Sequence, residues 1–297
     1  MSLAGTDNSA CYVPRSDTGL DLLNVNFSFG GWFKLQTPVG GGRVMGREGP
    51  TAGKVQANIY LDSTDNTIRF YYSVDGTSLA AVTSTGIVHV ARASEGVVSN
   101  SRITGTLADS VHITGQSSYV RVIGNVITDS GDDGVAVVSY RGDGGVSHHV
   151  YARNNTISNN KGGRGMSVVG GADVLYENNK ISNQTIGAGM YLSQENSYDT
   201  YPIRSVSVQF NTLSNCGNAQ KGHTAIMLFT DGTTPNTLVH LYRNDIQGGP
   251  VGGIRIFGAN TSTVVESNRI QGTSPPLNIA TQGVTVIPYT DGPVGAL

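Results

Sequence analysis

The chain has few charged residues, only two cysteines, no long apolar run and almost no helical periodicity. Charged residues make up 13% of it, and a formal charge of −2 without a Lys/Arg cluster argues against a nucleic-acid or anionic-membrane surface. No stretch of 18 apolar residues occurs, so the sequence predicts no bilayer span. Cys11 and Cys216 lie in different regions and are predicted to be free thiols, so they fix no compartment. The Met-Ser-Leu start is not a signal peptide, which leaves export open.

What the chain has instead is 40 glycines and a turn unit, Asn-x-Ile in its commonest form, that recurs seven times. The copies begin at Ser101, Asn125, Asn155, Asn179, Asn211, Asn244 and Asn268, in steps of 24, 30, 24, 32, 33 and 24 residues. A base period near 24 with insertions is typical of a solenoid. About ten residues after each turn comes a short strand with apolar residues two apart, as SVHI, GVAV, GMSV, GMYL, AIML, GIRI and GVTV.

These patterns predict an all-β fold, a right-handed parallel β-helix with two or three strands per coil. The helical unit is expected to occupy residues 87–297, with coils from about 87 to 285. Asn and Gly suit the tight corners, where asparagine side chains can hydrogen-bond from one coil to the next. We expect Pro275-Pro276 and the tail after Pro288 to close the C-terminal end.

Residues 1–86 lack the repeat and show longer strands with aromatic alternation, at 26–35, 58–62 and 67–72, with a turn at 63–66. This order resembles about half of a laminin-G-like or concanavalin-type sandwich, and that resemblance implies sugar binding. The alternative is a small antiparallel β cap that seals the N-terminal end of the solenoid and mediates association. The cap is the interpretation that we carry forward.

Aligning the repeated strands on their first apolar residue arranges the neighbouring positions in columns. The aligned residues are Val111, Val135, Met166, Met190, Ile226 and Ile254. The residues immediately before them are small and predict the floor of a groove for an extended ligand: Ser110, Gly134, Gly165, Gly189, Ala225 and Gly253. One position further back stand Asp109, Asp133 and Arg164, with Asp132 beside Asp133. Because adjacent coils are about 4.8 Å apart, the three aspartates are expected to converge.

Three neighbouring carboxylates raise one another's pKa, so one of them is expected to stay protonated near neutral pH. Glycoside hydrolysis needs this combination, a protonated acid for the leaving oxygen and an ionised base for water. The alternative is that these aspartates only cap corners of the solenoid. We interpret Asp109, Asp132 and Asp133 as the catalytic candidates.

At these residues the chain resembles the polygalacturonase-type β-helical glycoside hydrolases over residues 87–195. The stretch 107–113 stands where that family has Asn-Thr-Asp, and Gly131-Asp132-Asp133-Gly134 is similar to its Gly-Asp-Asp-Cys motif. The resemblance implies that Asp132 or Asp133 is the general acid, and that the other, with Asp109, activates water in an inverting displacement. It also implies a short separation between the carboxylates.

Two departures from that family bear on the substrate. The family's Gly-His-Gly is Gly163-Arg164-Gly165 here, and Arg164 can bind a sugar but cannot relay protons as His does. The family's uronate-binding Arg-Ile-Lys falls at Met190-Tyr191-Leu192 and is missing, although Arg255 can supply a cation. Arg164 also suits a polysaccharide lyase or C5-epimerase, which would use a base or a Ca²⁺ held by carboxylates.

Three insertions follow aligned strands at 140–145, 194–201 and 230–236, and we expect them to build one wall of the groove. Glu195, Tyr198 and Tyr201 on the second insertion suit hydrogen bonding and stacking on sugars. His112 and His223 align with the groove, whereas no His pair has zinc-ligand spacing. The predicted substrate-binding residues are His112, Arg164, Tyr191, Glu195, His223 and Arg255.

The sequence therefore predicts a polysaccharide-degrading enzyme, an inverting glycoside hydrolase, acting outside the cell or at its surface on a glycan that lies along the β-helix. Its alternatives are a lyase or epimerase, and a tailspike-like or adhesion module that binds glycans without cutting them. No resident metal or cofactor is predicted for the hydrolase, whereas the lyase alternative would use Ca²⁺. The partner is a polysaccharide rather than a nucleic acid, and a homo-oligomer stays open.

Overall fold

The structure is a computed structural model that describes residues 88–290 and, before them, only the backbone of four strands. The chain divides into one unit at Met1–Ser84 and another at Thr85–Leu297. The boundary predicted from the sequence lies after residue 86. Cys11, the strand predicted at 26–35 and the turn predicted at 63–66 lie outside the described residues.

The four N-terminal strands form one antiparallel sheet in chain order: β1 (Gly42–Glu48), β2 (Val55–Asp62), β3 (Thr67–Tyr72) and β4 (Ala80–Val82). Asp62 pairs with Thr67 across the β2–β3 hairpin. This pairing confirms the antiparallel strands predicted at 58–62 and 67–72. A sugar-binding or capping role for this unit stays a prediction.

The second unit winds through three parallel sheets. Sheet I contains β5 (Val88–Ala91), β8 (Val111–Thr114), β11 (Val135–Val138), β14 (Met166–Val169), β17 (Met190–Gln194), β20 (Ile226–Thr230), β23 (Ile254–Phe257) and β26 (Leu277–Ala280). Sheet II contains β6 (Gly96–Ser99), β9 (Val120–Ile123), β12 (His148–Arg153), β15 (Gly171–Glu177), β18 (Ile203–Gln209), β21 (Asn236–Tyr242), β24 (Asn260–Glu266) and β27 (Val284–Ile287). Sheet III contains β7 (Arg102–Thr104), β10 (Val126–Thr128), β13 (Thr156–Ser158), β16 (Lys180–Ser182), β19 (Thr212–Ser214), β22 (Asp245–Gln247) and β25 (Arg269–Gln271).

Each strand pairs with the strand at the same position in the next coil, so the unit is the predicted parallel β-helix with three strands per coil. Apart from strands, the described residues contain only two short 3-10 turns, Arg141–Asp143 and Asn196–Tyr198. None of the helical segments in the described part of the chain has the length and apolarity needed to cross a bilayer.

The core is a set of stacked side chains inside the coils. In β8, Val111 and Ile113 point inward and are fully buried, while His112 between them points outward. In the three-residue strands of sheet III only the middle residue is inward, as with Ile127 and Ile157. β-Branched residues pack well on such a surface, and burying each contributes roughly 1.5–3 kcal/mol.

The small residues before the sheet I strands face this core, which corrects the prediction that they form a groove floor. A Cβ on Gly134 would lie 2.6 Å from Cγ2 of Ile157, and one on Gly189 would lie 2.7 Å from Cδ2 of Leu213. The corner thus passes so close to the apolar column of sheet III that no larger side chain fits. The outward side chains of sheet I form the floor instead.

A ladder of buried asparagines joins the coils at the corner between sheets II and III. Each side-chain Nδ2 donates to Oδ1 of the asparagine in the next coil, at 2.9–3.0 Å, from Asn125 to Asn268. Each Nδ2 also donates to a sheet II carbonyl, and each Oδ1 also accepts a backbone N–H. These amides are therefore satisfied inside the core, as predicted from the repeat.

The residue before each ladder asparagine adopts the left-handed conformation. Asn154 and Asn178 do so with φ of 56° and 53°, as expected for asparagine. Phe210, Arg243 and Ser267 occupy the same position with φ of 55°, 48° and 52°. The corner geometry thus overrides residue preference in three coils.

The last coil differs from its prediction. The repeat GVTV, expected to align with the sheet I strands, lies in β27 of sheet II, where Val284 pairs with Thr263. The sheet I strand of this coil is β26, and its Leu277 pairs with Ile254. Pro276 leads into β26 and accepts the backbone N–H of Ile254 at 2.9 Å. Residues 291–297 lie outside the described residues.

The three predicted insertions all lie between sheets I and II, after β11, β17 and β20, which confirms that they share one edge. A fourth insertion, residues 215–225 between β19 and β20, lies at the opposite edge of sheet I and was missed. The outer face of sheet I is therefore bordered on both sides. We call this face, with its borders 139–147, 195–202, 231–235 and 215–225, the sheet I groove.

The asparagine ladder leads to a stability prediction. Asn179→Ala removes the hydrogen bonds that Nδ2 donates to the carbonyl of Ala152 and to Oδ1 of Asn211. It also leaves the N–H and Nδ2 of Asn155 without the acceptor Oδ1. We expect the free energy of unfolding to fall by about 3 kcal/mol, because buried polar groups lose their partners. Lys180→Ala on the exposed face of the same coil is the control and should change stability by less than about 0.5 kcal/mol. Equal losses in denaturant melts of the two variants would contradict the role of the ladder.

Candidate active site

The floor of the sheet I groove consists of outward side chains in exact register. One column runs His89, His112, Ala136, Ser167, Tyr191, Met227 and Arg255. Parts of this floor are covered by the borders: Ala136 and Met227 are 1% and 5% exposed although they point away from the core. The floor therefore has its own packing, separate from the interior of the coils.

The three aspartates converge at the edge where the chain enters sheet I. Asp133 N–H donates to Oδ1 of Asp109 in the coil before it, at 2.8 Å. One carboxylate oxygen from each of Asp109, Asp132 and Asp133 lies within 4.8 Å of the others. The convergence expected from the repeat is thus present in the structure.

Gly163 in the following coil permits this convergence. Its φ is +47°, in the left-handed region, and a Cβ there would overlap Oδ1 of both Asp132 and Asp133. Only glycine therefore allows the backbone to pass against the two carboxylates.

Asp109 belongs to a polar chain that begins at two histidines. Its Oδ2 lies 2.5 Å from Nδ1 of His112, whose ring makes an edge contact with His89 at 4.9 Å. Burial, together with the charge of His112, lowers the pKa of His89 to about 4, against the opposing effect of Asp109. His89 is therefore neutral at pH 7, and the short contact of His112 orients the Asp109 carboxylate.

Asp133 is the buried member of the cluster, with 4% exposure. Its Oδ1 accepts the backbone N–H of Arg164 at 2.6 Å, and its Oδ2 accepts the hydroxyl of Ser167 at 2.5 Å. Burial raises the pKa of Asp133 to about 7, helped by the charges of Asp109 and Asp132 and opposed by Arg164 and Ser167. Near neutral pH this carboxyl is poised between its two protonation states.

Asp132 is the exposed member of the cluster. Partial burial and then the charge of Asp109 raise its pKa, while Arg164, His112 and Lys221 act in the opposite direction. Asp132 is thus the carboxyl of the three that faces the open groove.

Arg164 is held by several groups at once. Its Nη2 lies 3.2 Å from Oε1 of Glu195, its Nη1 lies 3.9 Å from Oδ1 of Asp133, and its guanidinium lies 4.1 Å above the ring of Tyr191. The Tyr191 hydroxyl donates to the same Oε1 of Glu195 at 2.6 Å. Tyr191 and Glu195 are 3% and 8% exposed. These contacts fix the orientation of Arg164 over the groove floor.

His223 stands on the insertion at 215–225 and stacks on Tyr191, with ring centroids 5.5 Å apart. Burial, followed by the charges of Arg164, Lys221 and Arg255, lowers its pKa to about 4. Because it is neutral at pH 7, His223 can offer a sugar hydroxyl a ring nitrogen without adding charge.

Arg255 lies further along the floor, two coils beyond Tyr191. Its Nη1 donates to the carbonyl of Gly222 at 3.0 Å, and its guanidinium lies 4.4 Å from the ring centre of Phe257. The structure thus brings eight of the nine predicted site residues into one contiguous cluster and places Arg255 at a distance along the same groove.

The border between sheets I and II is continuous, because its insertions bond to one another. The Arg141 N–H donates to the carbonyl of Asp199 at 2.8 Å, and Tyr201 N–H donates to the carbonyl of Ser139 at 3.0 Å. Asn196 N–H then donates to Oδ1 of Asp231 at 2.7 Å. The three insertions therefore support each other as one wall, on which Tyr198 is 63% exposed.

The carboxylate cluster has the donor atoms that a divalent cation prefers, and its oxygens are close enough to share one. The oxygens of Asp109 and Asp133, however, already accept hydrogen bonds from Asp133 N–H, Arg164 N–H and Ser167, or contact His112. These contacts orient the two carboxylates, and a bound cation would share oxygens that are already hydrogen-bonded.

A cavity of about 550 Å³ lies elsewhere, at the C-terminal end of the coils, lined by Ile270, Leu277, Val286 and Tyr289 among others. Its lining combines partly buried apolar residues of the last coils with exposed ones such as Val286 and Tyr289, and includes no carboxylate. It marks the end of the stacked core and has no connection with the aspartates.

Sequence reasoning missed Ser167 and His89. Both occupy the second position of a sheet I strand, so extending the alignment by one residue would have found Ser167, and the Val88-His89-Val90 alternation would have found His89. Lys221 was missed because its insertion shares the 33-residue step from Asn211 to Asn244 with the predicted insertion at 230–236, to which the sequence pattern assigns the extra length.

A family model described as "Right handed beta helix region" matches residues 53–202, half of the chain, and confirms the predicted handedness. No curated protein sequence matches the chain significantly.

Solved structures similar to the chain include catalytic domains of an α-1,3-glucanase of glycoside hydrolase family 87. One, in complex with tetrasaccharides, has 18% identity and a TM-score of 0.56, and the match covers 69% of this chain and 47% of that one. Another, in complex with nigerose, has 17% identity and a TM-score of 0.56, and the match covers 69% and 46%. The chain thus spans about half the length of these domains, and at such identity the likeness shows the fold alone.

The electrostatics of Asp133 predict a pH-dependent gain in stability on substitution. Its pKa is raised in the fold, so ionising Asp133 destabilises the folded state as pH rises from the unfolded pKa near 4 to about 7. We expect Asp133→Asn to raise Tm relative to the wild type at pH 8 more than at pH 4, because the variant has no charge to bury. Asp199→Asn, at a side chain that is 74% exposed, is the matched control and should show no such pH dependence. A stability difference for Asp133→Asn that does not change with pH would contradict the burial of a charge there.

Proposed function

We propose that this chain, which belongs to the right-handed β-helix family, is a polysaccharide-degrading, inverting glycoside hydrolase. The reason is that its groove holds three converging carboxylates in unequal environments. A long glycan would lie across the floor of sheet I, parallel to the stack of coils. The observation that carries the proposal is the division of the aspartates into an exposed, a hydrogen-bonded and a buried carboxyl. A surface that only bound glycans would gain nothing from placing three acids within 4.8 Å of one another.

Asp132 is proposed as the general acid. An acid must reach the glycosidic oxygen and carry a proton, and Asp132 is both exposed and shifted to higher pKa. In the reaction its proton passes to the leaving oxygen as the bond from that oxygen to the anomeric carbon breaks.

Asp109 and Asp133 are proposed to hold and deprotonate the attacking water. Asp109 is fixed by His112, and Asp133 by Ser167 and the N–H of Arg164. A base with a pKa of about 7 is ionised in about half of the molecules at neutral pH and still accepts a proton readily. Water attack opposite the leaving group inverts the anomeric centre. A short separation between the carboxylates is also seen in retaining enzymes, so the distance alone does not establish inversion. NMR of the first product anomer tests it.

The glucanase structures supply independent support for these three residues. Among them, single Asp-to-Ala replacements occur at two adjacent positions and at a third position 23 residues earlier. Asp132 follows Asp109 by 23 residues and Asp133 comes directly after it. A shared spacing across one coil is the pattern expected if the same corner carries the chemistry in both proteins.

The proposed substrate is a neutral glucan, with α-1,3-glucan as the first candidate because the similar structures are α-1,3-glucanases. Arg164 already faces Glu195 and Asp133, so it is poorly placed to neutralise a uronate carboxylate. Met190 and Leu192 stand where the resemblance leads one to expect the uronate-binding Arg and Lys, and both are fully buried. A polymeric substrate also implies action outside the cell or at its surface.

The first test is a polysaccharide panel that includes α-1,3-glucan, other neutral glucans and polyuronates, assayed for reducing ends and for unsaturated products. We expect reducing ends from a neutral glucan and no ultraviolet chromophore. Asp109→Asn, Asp132→Asn and Asp133→Asn should each lower turnover by at least about 100-fold, the scale for loss of a general acid or base. Asp199→Asn should retain wild-type turnover. Unsaturated products would identify a lyase, and binding without any cleavage would identify a glycan-binding module.

The second test separates the acid from the base. A glycoside with an activated aryl leaving group needs no protonation, so Asp132→Asn should recover most of its lost activity on such a substrate, whereas Asp133→Asn should not. The measurement compares kcat/KM for activated and natural substrates in both variants. Recovery in Asp133→Asn with none in Asp132→Asn would reverse the two roles, and recovery in neither would exclude Asp132 as the acid.

A further inference from the structure

The floor of the sheet I groove becomes aromatic beyond the aspartate cluster. Phe229 and Phe257 occupy the fourth strand position in successive coils, with ring centroids 4.7 Å apart, and Tyr191 lies 6.4 Å from Phe229. Phe229 and Phe257 are only half-buried, in contrast to the fully covered Ala136 and Met227. Two adjacent and partly exposed aromatic rings therefore lie along the direction of the stack.

Both borders of the groove reach this aromatic strip. The insertion 231–235 follows β20, the strand that contains Phe229. On the opposite side Arg255 lies against the ring of Phe257 and donates one N–H to the carbonyl of Gly222, on the insertion 215–225. The guanidinium is thereby held in place with further N–H groups available as donors.

The chemistry of this surface suits sugar rings. Aromatic faces pack against the apolar C–H faces of pyranoses, and a fixed guanidinium donates to hydroxyls. Phe229 and Phe257 lie three and four coils beyond the coil of Asp132, roughly 14 and 19 Å along the stack at the usual strand spacing. Several sugar residues of an extended glycan would separate this surface from the scissile bond.

We propose that Phe229, Arg255 and Phe257 form a distal platform that binds remote residues of a neutral glycan and makes the enzyme prefer long chains. The inference rests on the proposed function, because it assigns the platform to the same groove. Long substrates would engage both the aspartate cluster and the platform, whereas short oligosaccharides bound at the cluster would not reach it.

Binding is tested without catalysis, by affinity electrophoresis in gels containing the glycans of the panel. The Asp132→Asn variant should be retarded as the wild type is. Adding Phe257→Leu or Arg255→Ala to it should weaken the retardation, with the apparent Kd rising about tenfold. Leu preserves apolar packing and removes the flat ring, so loss of binding would report the platform rather than unfolding. Phe210→Leu, at an aromatic residue that is 40% exposed at another corner, is the matched control and should bind as the wild type does.

Kinetics supply the second readout. In Phe257→Leu the ratio of kcat/KM for a long oligosaccharide to that for a trisaccharide should fall about tenfold, while Phe210→Leu should keep the wild-type ratio. An unchanged ratio together with unchanged retardation would overturn the platform while leaving the hydrolase intact. If retardation depends on Phe257 but the protein cleaves none of the glycans, the platform would be supported and the proposed hydrolase activity would be contradicted.

Discussion

The matched register between successive coils is the constraint on which the rest of this structure depends. Every strand in the helical unit pairs with the strand at the same position in the coils beside it, and the buried asparagines extend this pairing into the side chains. Because the register is fixed, residues one coil apart in sequence become neighbours in space. The aspartate cluster, the outward column and the aromatic strip are all results of this one relation.

Much of this arrangement could be predicted, because the repeat reports the register directly. The period of the Asn-x-Ile turn is sufficient by itself to place Asp109 beside the Asp132-Asp133 pair. Alternation within the strands was less informative near the corners. Alternation predicts that Gly134 and Gly189 continue the outward face, whereas the chain turns there and directs them at Ile157 and Leu213.

Other features could not be inferred from the sequence, because they depend on distances that a period does not encode. Nothing in the sequence states that Asp133 would be buried and Asp132 exposed, although they are adjacent and chemically identical. Asp133 differs from Asp132 because groups of the next coil, the N–H of Arg164 and the hydroxyl of Ser167, engage both of its carboxylate oxygens. Similarly, the GVTV segment has the right pattern for sheet I but lies in sheet II, since pattern alone does not say which of three sheets a strand enters.

The separation of the two edges of sheet I has a consequence for how such a protein can change. The aspartates occupy the entry edge, where the chain length between Asp109 and Asp132 must equal one coil. The interlocked insertions at 139–147, 195–202 and 231–235 occupy the exit edge, where added residues leave the register of the stack intact. Exit-edge segments of such a fold can therefore be lengthened, shortened or exchanged without moving the aspartates. For protein engineers, the same edge is where grafted segments would be tolerated.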